Sequence, residues 1–163
     1  MDVLGIFVKH PTPGRVKTRL AKSLGPERAC ELYAAFTADI VERLRAFADR
    51  RVLCYAPGEA AARAWFAGLG GDDYELWPQP DAPLGERMER FFVEQFASGA
   101  ARVVVIGSDS PTLPVELLES AFERLGGYDC VIGPADDGGY YLVGLAERSR
   151  PIFHGIDWGG PQV

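Results

Sequence analysis

Val103-Val104-Val105-Ile106 is a run of four β-branched residues with no polar interruption. Such a run suits a strand covered on both faces, a situation found chiefly in parallel sheets with helices on either side. Other segments fit around it. Residues 3–8, 51–56, 74–77 and 129–133 are further, largely apolar runs closed by turn residues, and residues 140–145 return as a strand after Asp136-Asp137-Gly138-Gly139, in the manner of an antiparallel hairpin. Between them, apolar residues recur at three- and four-residue steps. Ala29, Leu32, Tyr33, Phe36, Ile40, Leu44 and Phe47 predict one long helix opened by Gly25-Pro26. Trp65 and Phe66 mark a second helix, Leu84, Met88, Phe91, Phe92 and Phe96 a third, and Leu117, Leu118, Ala121, Phe122 and Leu125, after Pro114, a fourth. This alternation predicts a single α/β domain, a three-layer α/β/α sandwich on a mostly parallel sheet with an antiparallel strand near the C-terminus. A length of 163 residues leaves no room for a second core.

With 17 Lys and Arg against 23 Asp and Glu, the net charge of −6 disfavours nucleic acid and anionic lipid as partners. Cys30, Cys54 and Cys130 are odd in number and form no C-x-x-C pair, so neither a disulfide framework nor a zinc site is expected. No stretch approaches the ~20 apolar residues of a membrane span. The expected setting is therefore cytoplasmic. The distribution of charge is more specific than its sum. Residues 3–26 carry five cations (Lys9, Arg15, Lys17, Arg19, Lys22) and no acid, which leaves 12 cations against 23 acids, a remainder of −11, elsewhere. One short segment is suited to meet an anion.

That segment includes Lys9-His10-Pro11-Thr12-Pro13-Gly14-Arg15-Val16-Lys17-Thr18-Arg19-Leu20 and follows the first strand. In open α/β sheets ligands bind outside the carboxyl ends of the strands. Gly14 would let a backbone approach a ligand there, and Arg15, Lys17 and Arg19 would supply donors to phosphate. Val16 stands where a P-loop needs glycine before its lysine, so this is not a Walker A loop. A plain solvated basic loop is the other reading.

Gly107-Ser108-Asp109-Ser110-Pro111 follows the central strand, so Asp109 should face the same crevice. Two like charges about 4 Å apart repel by about 4 kcal/mol at an effective dielectric near 20, so Asp109 beside a polyphosphate calls for an intervening cation. Mg²⁺ or Mn²⁺ (magnesium or manganese) held by one carboxylate and substrate oxygens resolves the conflict. Asp109 is then both metal ligand and, with Lys17, catalytic candidate, although an Asp here also serves to cap a turn.

Asp137, Gly138, Gly139 and Tyr140 in the third segment could contact a sugar or acceptor, or form a plain hairpin turn. Gln79, just past a strand end, has an amide able to pair with a base edge, and Arg87 could reach phosphate. Trp158 offers a stacking face or a core side chain. His10 and His154 lack metal-ligand spacing to other candidates.

Together, Pro11 through Leu20, Leu84-Gly85-Glu86-Arg87-Met88, Gly107 through Pro111, Gly133 through Gly144 and Phe153-His154-Gly155-Ile156-Asp157-Trp158 resemble the bacterial rSAM/selenodomain-associated transferases, GT-A-like members of the nucleotide-diphospho-sugar transferase superfamily. The resemblance implies a single GT-A-like, Rossmann-like domain over residues 1–163, ending before the further helix and Asp-rich strand with which such proteins continue. It also implies that the Lys17 segment (Pro13, Gly14, Arg15, Lys17, Arg19), with Gln79 and Arg87, binds a nucleotide or nucleotide sugar. Asp109 would hold the metal, and Asp137, Gly138, Gly139, Tyr140 and Trp158 would face a small-molecule acceptor or the sugar. Nucleotidyl and glycosyl transfer both fit, and an inactive nucleotide-binding module of the same fold is the alternative.

Overall fold

In the computed structural model, which describes residues 1–136, 138–147 and 152–153, six strands form one sheet with helices on both faces. The order along the chain is β1 (Asp2–Lys9), α1 (Thr18–Leu24), α2 (Pro26–Arg43), β2 (Arg50–Ala56), α3 (Ala60–Gly70), β3 (Glu75–Pro78), α4 (Leu84–Ala97), β4 (Arg102–Gly107), α5 (Val115–Arg124), β5 (Cys130–Pro134) and β6 (Tyr140–Ala146). Across the sheet the strands lie in the order β3-β2-β1-β4-β6-β5. The first four are mutually parallel, and β6 runs antiparallel to both of its neighbours. This is the mostly parallel three-layer sandwich that the alternation of runs predicts.

Side-chain alternation divides the core in two. Leu4, Ile6, Val8, Val104 and Ile106 pack against Ile40 and Val41 of α2, Phe66 of α3 and Leu118 of α5. Val3, Val103, Val105 and Val143 face Met88, Phe91 and Phe92 of α4. Each such side chain stabilises the fold by about 1.5–3 kcal/mol through burial. Gly5 faces the α4 layer, where an added Cβ would lie 2.5 Å from Phe91 Cε1. Phe91 is fully buried and held edge-on by Phe7 and Trp77, with ring centroids 5.9 and 5.3 Å away. Gly5→Ala is therefore expected to destabilise the protein by about 1–3 kcal/mol through overpacking. Urea unfolding reads this directly, and an unchanged midpoint would show that the ring has room to withdraw.

Two helical segments differ from the periodic pattern. The spacing continues through Phe47, but α2 ends at Arg43, and Ala48 takes a left-handed backbone (φ 62°) as the chain turns towards β2. Leu44 is buried and Phe47 packs on the core from outside the helix, so here the apolar spacing reports burial rather than helix. The short α1 buries no residue, which is why no apolar period announces it. No helix among the described residues is long and apolar enough to cross a membrane.

Candidate functional site

Since β1 to β4 are parallel, their carboxyl ends share one edge of the sheet. From the central β1 the chain moves to β2 and β3 on one side and later to β4 on the other, so the connections diverge and a crevice opens between the ends of β1 and β4. Ladder pairing between these two strands stops at Phe7 opposite Gly107. Beyond that pair lie the basic segment and the Ser108-Asp109 loop. The β5–β6 connection reaches the same edge because β6 is antiparallel, with Leu142 opposite Ile106.

The basic segment begins with a turn in which the Arg15 amide donates to the Thr12 carbonyl at 3.0 Å. Pro13 and Gly14 occupy its middle, and Gly14 has φ 76°, as the third residue of a type II turn requires. Nothing lies within 4 Å of a Cβ built on Gly14. The turn by itself requires the glycine, and Pro13 and Gly14 shape the loop without lining the cleft beside it. Val16 anchors the loop, buried against Cys30 and Tyr33.

Lys17 then adopts φ 46°, ψ 45°, a left-handed conformation that costs a residue with a side chain about 1–2 kcal/mol. In this position its Nζ lies 2.7 Å from Asp109 Oδ1. The Lys17 side chain is 22% exposed and that of Asp109 79%. The two ends thus meet across the crevice by direct contact. They line a cleft of about 820 Å³ together with Arg15, Arg19, Gln79 and Arg87. A second cavity of about 820 Å³ adjoins it on the β2 side, where His10, Gly58, Glu59 and Asp81 contribute; Arg15, Gln79 and Arg87 belong to both walls.

Gln79 and Arg87 are tied into this wall. The Gln79 amide nitrogen donates to the carbonyls of Cys54 at 2.6 Å and Val8 at 3.4 Å, bracing the ends of β1 and β2, while its oxygen accepts from Arg87 Nη1 at 3.3 Å. Arg87 also donates through Nε to the Ala82 carbonyl. A base-reading Gln79 would have to exchange these bonds. On the other side, Gly138 has φ 86° in the β5–β6 turn, where its amide donates to the Ala135 carbonyl at 3.1 Å, and Gly139 accepts from the Ala135 amide at 2.9 Å. Tyr140 turns to the α4 layer: its hydroxyl donates to Met88 Sδ at 3.4 Å, and burial pushes its pKa up to about 12. Gly138, Gly139 and Tyr140 do not line the cleft that holds Lys17 and Asp109. Asp137, His154, Asp157 and Trp158 lie outside the described residues.

His10 is engaged by Thr12 Oγ1 at 3.1 Å and lies edge-on to Trp65. Burial raises the thiol pKa of Cys30, Cys54 and Cys130, which keeps them protonated rather than nucleophilic. No group of three or more His, Cys, Asp or Glu able to hold a metal occurs among the described residues. Asp109 is the one carboxylate among the described residues that line its cleft, and it suits a cation that arrives with phosphate oxygens, not a cage built wholly from protein.

Two further residues lie behind the site and brace it. Tyr33 of α2 and Ser108 are both 4% exposed, and their hydroxyl oxygens lie 2.8 Å apart. The Tyr33 hydroxyl also accepts from the Lys9 amide at 2.9 Å. In the sequence Tyr33 is one member of an apolar stripe. The only hint of more is a hydroxyl on the helix face that meets the sheet.

Over residues 38–160 the chain matches a family described as uncharacterized proteins conserved in bacteria, DUF2064. A crystal structure from Desulfovibrio desulfuricans G20, provisionally named a nucleotide-diphospho-sugar transferase, is 41% identical with a TM-score of 0.92, covering 97% of this chain and 69% of that one. A cytidylyltransferase from Leptospira borgpetersenii is 10% identical with a TM-score of 0.62 over 90% of this chain and 60% of its own. Rv0371c of Mycobacterium tuberculosis H37Rv, solved in complex with manganese, is 18% identical with a TM-score of 0.50, over 93% of this chain and 71% of its own. These last two likenesses concern the fold. No curated protein matches the chain. With the family match running from α2 past β6 and the fold shared with the Desulfovibrio protein, the chain belongs to the DUF2064 family and has the nucleotide-diphospho-sugar transferase fold.

Proposed function

We propose that the protein is a metal-dependent transferase that uses a nucleoside triphosphate or nucleotide sugar, of the rSAM/selenodomain-associated kind. The observation that carries this reading is the 2.7 Å contact of Lys17 with Asp109 at the point where β1 and β4 part. A cation and an anion from distant segments meet there, in a cleft whose wall also holds Arg15, Arg19 and Arg87. Lys17 has an exchangeable partner: in the free protein it neutralises Asp109, and with substrate present it turns to the phosphates. Asp109 is then released to hold Mg²⁺ or Mn²⁺. The bound ion would neutralise charge on the phosphate oxygens and on the leaving group.

The protein's own share is electrostatic. Lys17, with Arg15, Arg19 and Arg87, binds and orients the phosphates and stabilises charge that grows on the departing pyrophosphate or nucleoside diphosphate. Pro13 and Gly14 set the turn that presents them. Gln79, between the two cavities, borders the base. The acceptor or sugar side is assigned to Asp137, Gly138, Gly139, Tyr140 and Trp158, of which Gly138, Gly139 and Tyr140 stand beyond the wall of the cleft that holds Lys17 and Asp109. A pre-positioned cradle of this kind serves nucleotidyl and glycosyl transfer alike.

A thermal-shift screen of nucleoside triphosphates and nucleotide sugars with and without Mn²⁺ tests the reading. The expected result is a rise in melting temperature for one nucleotide class that depends on the metal, followed by turnover when acceptors are supplied. No shift with any of them would refute the proposal, and binding that never leads to turnover would assign the chain as a nucleotide-binding module.

A further inference from the structure

The ends of β1 and β4 separate where the site begins, and a side chain of α2 bridges them from behind. On the β2 side the ladder continues to Lys9 opposite Ala56, where the His10 amide donates to the Ala56 carbonyl at 2.7 Å. Alternation then points the Lys9 amide to the β4 side, but β4 has no partner for it, because pairing ended at Phe7 and Gly107. The Tyr33 hydroxyl takes the place of that partner. It accepts from Lys9 at 2.9 Å and shares a hydrogen bond with Ser108 Oγ at 2.8 Å, in surroundings where a buried hydroxyl or amide left unpaired is costly. Its ring meanwhile packs with Val16. Tyr33 therefore touches the residue before Lys17 on one arm and the residue before Asp109 on the other.

We propose that Tyr33 is a positioning residue that, through Val16 and Ser108, sets the spacing between Lys17 and Asp109 and so lets the two act on one ligand. The inference rests on the transferase reading for the roles of Lys17 and Asp109, and it goes beyond it by assigning their mutual placement to a helix residue outside both loops. Loss of the hydroxyl leaves Lys17 able to meet an anion but frees the Ser108-Asp109 loop from its strut. Binding that needs both arms at once then suffers more than binding that needs one.

Inorganic tripolyphosphate is a suitable probe because it makes no demand on the base. Metal-free tripolyphosphate reads the basic arm alone, and manganese tripolyphosphate reads both arms together. Calorimetry on the parent protein should show the manganese form bound about tenfold more tightly or better, the order set by one charge-assisted contact. In Tyr33→Phe that gain should fall to about twofold or less, while metal-free affinity changes by no more than about twofold. Ser108→Ala should behave alike, and Ser108→Thr, which keeps the hydroxyl, should restore the gain. A parent protein with no manganese gain would overturn the transferase reading and this inference with it. A parent gain that persists in both Tyr33→Phe and Ser108→Ala would overturn the inference alone. So would equal losses for both ligand forms, which mark general loosening of the fold.

Discussion

Asp109→Asn is expected to lose about tenfold or more of its affinity for a manganese-bound triphosphate, the contribution of one charge-assisted contact and of the order that residues standing behind metal ligands already reach. The same substitution should leave metal-free triphosphate bound equally well or more tightly. Asp109 carries a charge of the same sign as the phosphates, and removing it relieves a repulsion that solvent screens but does not abolish at 79% side-chain exposure. The melting temperature should stay near that of the parent, since an ion pair with an exposed partner contributes about 0–1 kcal/mol. Opposite signs for the two ligand forms, measured by titration calorimetry, are specific to a metal-carrying carboxylate. Parallel losses in both would assign Asp109 to the turn instead.

Lys17→Ala should weaken triphosphate binding by about 10- to 100-fold, from the loss of a hydrogen bond to a charged group worth about 1.5–3 kcal/mol. Nucleoside binding should be unchanged, and Mn²⁺ alone should bind no worse, because Asp109 has lost its intramolecular partner. Equal loss of nucleoside and triphosphate would count against a phosphate role. The left-handed backbone at Lys17 offers a sharper comparison. Lys17→Gly removes the same ammonium while relieving about 1–2 kcal/mol of backbone strain, so it should unfold at higher denaturant than Lys17→Ala yet bind triphosphate as poorly. Retention of a strained lysine where glycine would be more comfortable is the expected trade of stability for a charge held in place.

Both predictions depend on a convergence that is only partly legible in the chain. The strand at residues 103–106 and the helices around Phe66, Phe91 and Leu118 can be read from the sequence because burial imposes its period on residue type. The parallel arrangement follows from strands alternating with helices, and with it the expectation that the basic segment and Asp109 share an edge. Pro13-Gly14 is a local turn signal as well, but from the sequence Gly14 reads as a point of ligand approach, and its place in a type II turn comes from the fold. The resemblance carried by the motifs also agrees with the nucleotide-diphospho-sugar transferase fold.

What tertiary structure alone decided is of another kind. The α1 helix gives no periodic signal because it has no buried face, and α2 stops before its apolar spacing does. Gln79 presents an amide that sequence alone leaves free to meet a base, whereas folding engages it with the carbonyls of Val8 and Cys54. Tyr33 reads as one more apolar helix position until its hydroxyl is found bridging Lys9 and Ser108. Residue type and spacing record whether a position is buried and what it can donate or accept. Which partner it meets depends on where the strands diverge and how a helix crosses them, and those relations exist only between segments far apart in the chain.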